Sequence, residues 1–206
     1  QGNYALAVLE FQDALDIDPN ASTIHISIAD AYRRLGRAKH AEDHLKIAID
    51  LDPKDLSSRE MLGHLYLINR KYDMAEKEFL VLSNLDLSND NYITVLGDLA
   101  KMQERWSQSV DYYLSANKIN PQNFKALENA LQVCLGAELF DKAESTCLIL
   151  AESEPNNTSY WKTYKQITAY NKNYDRTLLA ISEIERIEGI SLNLTLEKSA
   201  IKQEQN

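Results

Sequence analysis

A period of 34 residues runs through this chain and limits what it can fold into. Polar residues with a side-chain oxygen recur at that spacing just before stretches of helical periodicity: Asp55, Asn89, Asn123 and Asn157. Such an oxygen caps a helix, because it accepts a hydrogen bond from a first-turn backbone N–H that has no partner within the helix. Prolines recur just ahead of the caps and end the preceding helix, because proline supplies no N–H; they are Pro19, Pro53, Pro121 and Pro155. A stop and a cap that recur together predict a stack of equal helical units.

Each 34-residue interval contains two apolar stretches rather than one. In the interval 56–89, Leu62, Gly63 and Tyr66 recur at helical spacing in the first half. In the second half, the small residue Ala75 is followed four positions later by the bulky Phe79. A small residue lets two helices approach closely, whereas a large side chain would hold them apart. Each interval is therefore predicted to be a pair of helices that pack against each other.

Two intervals depart from this pattern in the second half. We assign the small position to Val110 and the bulky position to Leu114 in the interval 90–123, and the small position to Thr177 in the interval 158–191. We expect these intervals to pack somewhat differently from their neighbours. The departures concern packing and leave the helix-pair prediction intact.

The pattern resembles the tetratricopeptide repeat, whose signature is W-x2-L-G-x2-Y, then A-x3-F, then P, at a period of 34. Trp161 stands in the Trp position, Leu62-Gly63-x-x-Tyr66 matches the next part, and Ala7-x3-Phe11-x7-Pro19 matches the second helix. The register holds without insertion from Gly2 to about Ser191. The resemblance implies an all-α fold, a right-handed superhelical solenoid of antiparallel helix pairs.

The register also predicts how the chain is divided. Residues 1–21 are predicted to be the second helix of a truncated first repeat, and 192–206 a C-terminal capping helix and tail. We expect the native protein to extend further towards its N-terminus. Between these ends lie five predicted helix-turn-helix repeats: 22–55, 56–89, 90–123, 124–157 and 158–191.

Charge and hydropathy exclude several classes of partner. The 31 acidic and 22 basic residues give a formal charge of −9, which repels nucleic-acid phosphates and anionic lipid headgroups. No apolar run approaches the roughly 18–20 residues that span a bilayer. We therefore expect a soluble chain that binds no nucleic acid and does not insert into a membrane. Its compartment is not determined, and the cytoplasm and a bacterial periplasm both fit.

Candidate groups for chemistry are few. His40 and His44 lie one helical turn apart, but a zincin needs Glu directly after the first His, and Ala41 between them fills a buried position. We interpret both histidines as solvent-facing. Cys134 and Cys147 fall in core positions, where cysteine behaves as a small hydrophobe. The sequence predicts no catalytic residues, no metal site and no cofactor.

A binding surface is expected on the concave side, which first helices line in stacked repeats. The positions one, five and eight places after the Trp position should point inward, and Tyr170 adds an aromatic ring near the end. From these we select the predicted binding face, which consists of Asp30, Arg33, Glu60, His64, Leu67, Asp98, Lys101, Glu128, Gln132, Lys162, Gln166 and Tyr170.

The functional hypothesis follows from this surface and from the lack of a convergent catalytic set. We expect a non-catalytic scaffold or adaptor, not an enzyme, that binds a peptide or protein partner in the concave groove. The alternative is a regulatory or substrate-recruiting stalk of a larger enzyme or assembly whose other domain lies outside this segment. Self-association of the chain is a further possibility.

Overall fold

The computed structural model describes residues 2–205, and this range is all-helical, with twelve helices and no strand. The chain divides into two compact units, Gln1–Gln103 and Glu104–Asn206. No helix within residues 2–205 combines the length and the apolar composition that a membrane crossing requires. The all-α expectation is therefore confirmed.

The first unit consists of six helices that pack in chain order. Each helix from α2 to α5 lies against the one before and the one after it, α1 lies against α2, and short turns join them. The helices are α1 (Gly2–Ile17), α2 (Ser22–Arg34), α3 (Ala38–Leu51), α4 (Leu56–Ile68), α5 (Tyr72–Leu85) and α6 (Asp90–Met102).

The second unit is built in the same way from six further helices, which also pack in chain order. From α2 onward, each helix begins 34 residues before the helix two places later in the chain. The helices are α7 (Trp106–Ile119), α8 (Phe124–Gly136), α9 (Phe140–Ser153), α10 (Thr158–Tyr170), α11 (Tyr174–Glu188) and α12 (Leu192–Gln205).

Each of the four predicted cap residues stands at the start of a first helix, the first of the two helices in a repeat. The Asp55 carboxylate accepts hydrogen bonds from the backbone N–H groups of Ser57 and Ser58 at the start of α4. The side chains of Asn89, Asn123 and Asn157 accept equivalent bonds at α6, α8 and α10. Helix α2 differs, because Ala21 occupies its cap position and provides no side-chain bond. The cap prediction is confirmed at all four polar positions.

A residue in the left-handed conformation follows the first helix of each pair, a feature not predicted from the sequence. Lys71 N–H donates to the Tyr66 carbonyl at 2.9 Å, which requires a positive φ at Arg70. The same bond recurs between Leu139 and the Cys134 carbonyl at 2.8 Å. The left-handed residues that follow these helices lie 34 apart, and only the first of them is glycine: Gly36, Arg70, Glu104, Glu138 and Lys172.

The packing of the second helices corrects one assignment. In α7 the small position is Ser109 and the bulky position is Tyr113, both fully buried, and Leu114 is only half-buried. The assignment to Val110 and Leu114 was wrong by one residue, although Val110 is also buried. The structural column of small residues is Ala41, Ala75, Ser109, Ala143 and Thr177, each at most 1% exposed.

Two buried carboxylates link neighbouring repeats. Glu42 on α3 is 6% exposed and accepts hydrogen bonds from Lys46 at 2.7 Å, Lys71 at 2.9 Å and the Tyr66 hydroxyl at 3.3 Å. Lys71 belongs to the turn of the following helix pair. Although burial opposes the charge, the hydrogen bonds from Lys46 and Lys71 lower the pKa of Glu42 to about 2.

The second inter-repeat carboxylate is Glu144 on α9. It is 5% exposed and accepts bonds from the Asn171 and Asn173 amides at 2.7 and 3.0 Å and from Arg176 at 2.5 Å. Asn173 follows Glu144 by 29 residues, as Lys71 follows Glu42. The same connection between adjacent helix pairs is thus made in both units.

Candidate functional site

The residues of the predicted binding face are accessible in both units. None of its twelve residues is buried, and seven are exposed, including Arg33, His64 and Tyr170. The residues belong to first helices, whose opposite sides supply core residues such as Leu62 and Tyr66. The cavities within each unit divide these twelve residues into smaller groups.

A cavity of about 350 Å³ lies between α2 and α4. It brings together three residues of the predicted binding face from two neighbouring repeats, Arg33 from 22–55 and Glu60 and His64 from 56–89. Met61 and Ile68 add apolar surface, and Ser57 completes the lining. The side chain of Ile68 is 71% exposed, so this apolar surface is open to solvent.

A second cavity of about 460 Å³ adjoins the first, because Met61 lines both. It contains Asp30 of the predicted binding face. Helix α1 contributes Tyr4 and Phe11, neither of which belongs to the predicted binding face. Ile26, Ser27, Ala7 and Ala31 complete the lining. We call these two adjoining cavities, at α1, α2 and α4, the N-terminal groove.

The charges of the N-terminal groove are partly paired. Asp30 accepts hydrogen bonds from Arg33 at 2.5 Å and from Arg34 at 2.7 Å. Although burial opposes the charge, these bonds from Arg34 and Arg33 lower the pKa of Asp30. Glu60 lies 3.8 Å from the His64 ring nitrogen. The groove therefore presents both signs of charge beside Met61 and Ile68.

Other residues of the first unit's predicted face lie outside these cavities. Leu67, Asp98 and Lys101 are not among the described residues that line them. All three are half-buried, and α6 carries the last two. In this unit, the predicted face thus divides into residues that line the N-terminal groove and residues that lie outside it.

In the second unit, several predicted residues are engaged within the protein. Lys162 donates to Glu188 at 2.6 Å, and Glu128 accepts from the Tyr160 hydroxyl at 3.0 Å. Gln166 lines a cavity of about 290 Å³ together with residues of α12. The Tyr170 ring packs on Phe140, with centroids 4.3 Å apart. Gln132 on α8 is exposed.

One contact on this face recurs in both units. The Tyr92 hydroxyl lies 3.5 Å from Glu60 in the first unit, and the Tyr160 hydroxyl lies 3.0 Å from Glu128 in the second. In each case the tyrosine comes from the next first helix, 32 residues later. Burial and the adjacent Glu128 raise the pKa of Tyr160 to about 12. These tyrosines hold the glutamates in place as neutral hydrogen-bond donors.

The cysteines are placed for packing. Cys134 and Cys147 are both fully buried. Burial raises the pKa of the Cys134 thiol to about 11 and that of Cys147 to about 12. A nucleophilic cysteine needs the thiolate form, which these values make scarce at neutral pH. No group of three or more His, Cys, Asp or Glu side chains within residues 2–205 is arranged to hold a metal ion.

The histidines differ from the sequence interpretation. His40 is exposed, but His44 is only half-buried and its Nδ1 lies 3.0 Å from Nδ1 of His25 on α2. The interpretation of both histidines as solvent-facing was therefore wrong for His44. It missed the pair because His25 precedes His44 by 19 residues, on the neighbouring helix.

Comparison with known proteins agrees with this architecture. A family model described as "Tetratricopeptide repeat" matches residues 22–55. DnaJ homolog subfamily C member 3 of Bos taurus is 28% identical over 157 residues, which cover 75% of this chain and 31% of that protein. Protein O-mannosyl-transferase F38B6.6 of Caenorhabditis elegans is 32% identical over 91 residues, 44% of this chain and 13% of that protein. The chain thus spans about a third or less of these relatives.

Solved structures show the same fold. The chain resembles YrrB, described as a TPR protein with an unusual peptide-binding site, with a TM-score of 0.59 and 17% identity over 92% of this chain and 97% of that one. A tetratricopeptide repeat protein from Parabacteroides merdae ATCC 43184 matches with a TM-score of 0.63 and 14% identity, over 99% of this chain and 81% of that one. At these identities the likeness concerns the fold alone.

Proposed function

This chain is built of tetratricopeptide repeats, and from that premise we propose that it is a non-catalytic scaffold that binds a peptide or protein segment in the N-terminal groove. The observation that carries the proposal is the pair of adjoining cavities that share Met61. Together they form a continuous concave surface across three helices. Small-molecule and peptide sites are typically concave, with apolar lining and a few polar groups that fix orientation.

The lining indicates what kind of segment fits. Met61 and Ile68 suit an apolar side chain of the ligand, since both offer apolar surface that binding would remove from water. Arg33 and Glu60 lie beside this surface and suit the ligand's backbone or polar side chains. An extended segment with one apolar anchor and polar neighbours matches this arrangement better than a fully apolar or highly charged one.

Several observations support a binding role over a catalytic one. Tetratricopeptide repeats are typically interaction scaffolds, and YrrB, with the same fold, is described as having a peptide-binding site. Burial raises the pKa of both cysteine thiols, so neither is activated as a nucleophile. The match to the mannosyltransferase covers 13% of that protein, so its name does not assign a transferase activity to these repeats.

The rest of the predicted binding face extends the proposed contact surface. In the first unit, Asp98 and Lys101 on α6 would provide polar contacts outside the groove. In the second unit, Gln132, Gln166 and Tyr170 are exposed and suited to a partner. We expect these positions to contribute less than the groove itself.

A peptide selection tests the proposal directly. Peptides selected from a random displayed library on the full chain should lose at least about tenfold in affinity, or about 1.4 kcal/mol, with Arg33→Glu or Ile68→Asp. Lys77→Glu is the matched control, because it makes the same charge change on an exposed residue of α5. Circular dichroism should show unchanged helicity in all three variants. Equal binding by Arg33→Glu and Lys77→Glu would contradict the groove assignment.

A second candidate is a regulatory or substrate-recruiting part of a longer protein or assembly. The coverage of the relatives favours it, since this chain corresponds to about a third of the bovine protein. Sequencing the complete reading frame tests this candidate, and an adjoining catalytic domain would support it. Self-association stays a prediction, which light scattering at several concentrations tests.

A further inference from the structure

The contact between α2 and α3 contains two facing histidine rings. His25 is 6% exposed, and its Nδ1 lies 3.0 Å from Nδ1 of His44. The ring centroids are 5.2 Å apart. The other ring nitrogen of His25, Nε2, lies 3.4 Å from the carbonyl oxygen of Pro19. Three of the four imidazole nitrogens therefore lie in contacts inside the protein.

These contacts determine where the protons sit. A carbonyl oxygen only accepts, so Nε2 of His25 carries a hydrogen and its Nδ1 has a free lone pair. Nδ1 of His44 must then donate to that lone pair. One extra proton can be added at Nε2 of His44 without breaking this bond. A second proton, on Nδ1 of His25, would set two N–H groups against each other at 3.0 Å.

The groups around the pair do not offset a double charge. Those that act on His44 are His25 on α2 and Asp43 and His40 on α3. The Tyr32 ring of α2 also packs on His44, with centroids 5.7 Å apart. The Asp43 carboxylate favours the protonated form of the His44 ring. Asp43 is also paired with Lys39 at 2.7 Å. Burial and the proximity of His25 outweigh it, so the pKa of His44 lies below its ordinary value.

We propose that the His25–His44 pair is an acid-sensitive contact that holds α2 against α3 near neutral pH and is broken when both rings are protonated. Two positive charges in a largely buried contact would repel each other and lose their hydrogen bond. Helix α2 also carries Asp30 and Arg33 of the N-terminal groove. Acidification would therefore loosen the helix that forms one wall of that groove.

The direction of the pH effect follows from proton binding. In the unfolded chain both rings take up protons as the pH falls past about 6.5. The folded pair holds back at least one of them, so the unfolded state binds more protons and stability falls as the pH falls. Each withheld proton changes the unfolding equilibrium by up to about tenfold per pH unit. Glu42, with a pKa of about 2, keeps its charge in the folded protein throughout pH 5–7.

Urea unfolding of the full chain at pH 7.5 and pH 5.0 tests the proposal. The wild-type unfolding constant should rise by about tenfold at the lower pH. His44→Asn keeps a polar side chain but removes the titration, so it should lose most of this rise. His40→Gln is the control on the same helix, because His40 is exposed and is the smallest of the influences on His44, and it should keep most of the wild-type rise.

An NMR titration of the histidine rings in the wild-type chain serves if His44→Asn does not fold. The His44 ring should take up its proton at a lower pH than an ordinary histidine. Wild-type stability that is the same at both pH values would overturn the proposal. So would a His44 ring that takes up its proton no lower than an ordinary histidine.

Discussion

Replacing Glu42 by glutamine tests how strongly one buried carboxylate stabilises the first unit. Glutamine keeps the shape of the side chain but removes the charge that accepts from Lys46 and Lys71. A fall of the pKa from 4.5 to about 2 corresponds to about 3.4 kcal/mol, at about 1.36 kcal/mol per pH unit. This value is an upper bound, because both lysine side chains are nearly half exposed and water screens them. We expect Glu42→Gln to lower the free energy of unfolding by about 1–2 kcal/mol at pH 7.

The pH dependence of this difference gives a second signature. The folded pKa of Glu42 lies below the unfolded value, so its stabilisation is fully present above pH 4.5 and is lost as the pH falls towards about 2. The gap between wild type and Glu42→Gln should therefore be constant from pH 7 to pH 5 and narrow below pH 4.5. Urea unfolding followed by circular dichroism at pH 7, 5 and 3.5 measures it.

Asp43→Asn is the matched control for this experiment. Asp43 follows Glu42 on α3 and also pairs with a lysine at 2.7 Å, but both partners are more than half exposed. Exposed pairs contribute little, so the change should stay below about 0.5 kcal/mol. The assigned role of the buried carboxylate is refuted if Glu42→Gln is no more harmful than Asp43→Asn. A gap that does not narrow below pH 4.5 would refute the charge-based explanation.

Two further changes test the packing and the caps. A Cβ at Gly63 would lie 2.8 Å from Cε2 of the buried Phe79 ring, so Gly63→Ala should cost about 1–3 kcal/mol by thermal or urea unfolding. Gly136→Ala, where no atom lies within 4 Å, should be neutral or stabilising, and equal effects would contradict the close packing. Ala21→Asn should raise the stability of the first unit by about 1 kcal/mol, since α2 has no side-chain cap. A melting temperature that does not rise would show that the start of α2 is already satisfied.

Much of the fold could be predicted because its determinants are local. Asp55 and Asn157 cap helices through backbone groups two or three residues away, so a single column of the sequence reveals them. The one-residue error at Ser109 has a simple cause. Val110 and Leu114 are the more apolar candidates, whereas the structure buries a serine and Tyr113 in those positions.

What could not be predicted depends on residues far apart in the chain. Glu42 looks like a solvated helix residue until Lys71, 29 positions later, is placed beside it. His44 needs His25 in the same way. The predicted binding face was chosen from single positions, and it could not show that Tyr4 of α1 would join the groove. Such contacts follow from how neighbouring helices pack.

The inter-repeat carboxylates also bear on how the chain comes apart. Glu42 and Glu144 each join a second helix to the turn of the next pair. Opening either interface would therefore cost Glu42 its bond from Lys71 and Glu144 its bonds from Asn171, Asn173 and Arg176. The equivalent position in α7 is Val110, which offers no such charge. Repeat arrays unfold at their weakest neighbour interfaces. The helix pairs on either side of Glu42 and of Glu144 should therefore melt as cooperative blocks, and fraying should stop at these carboxylates.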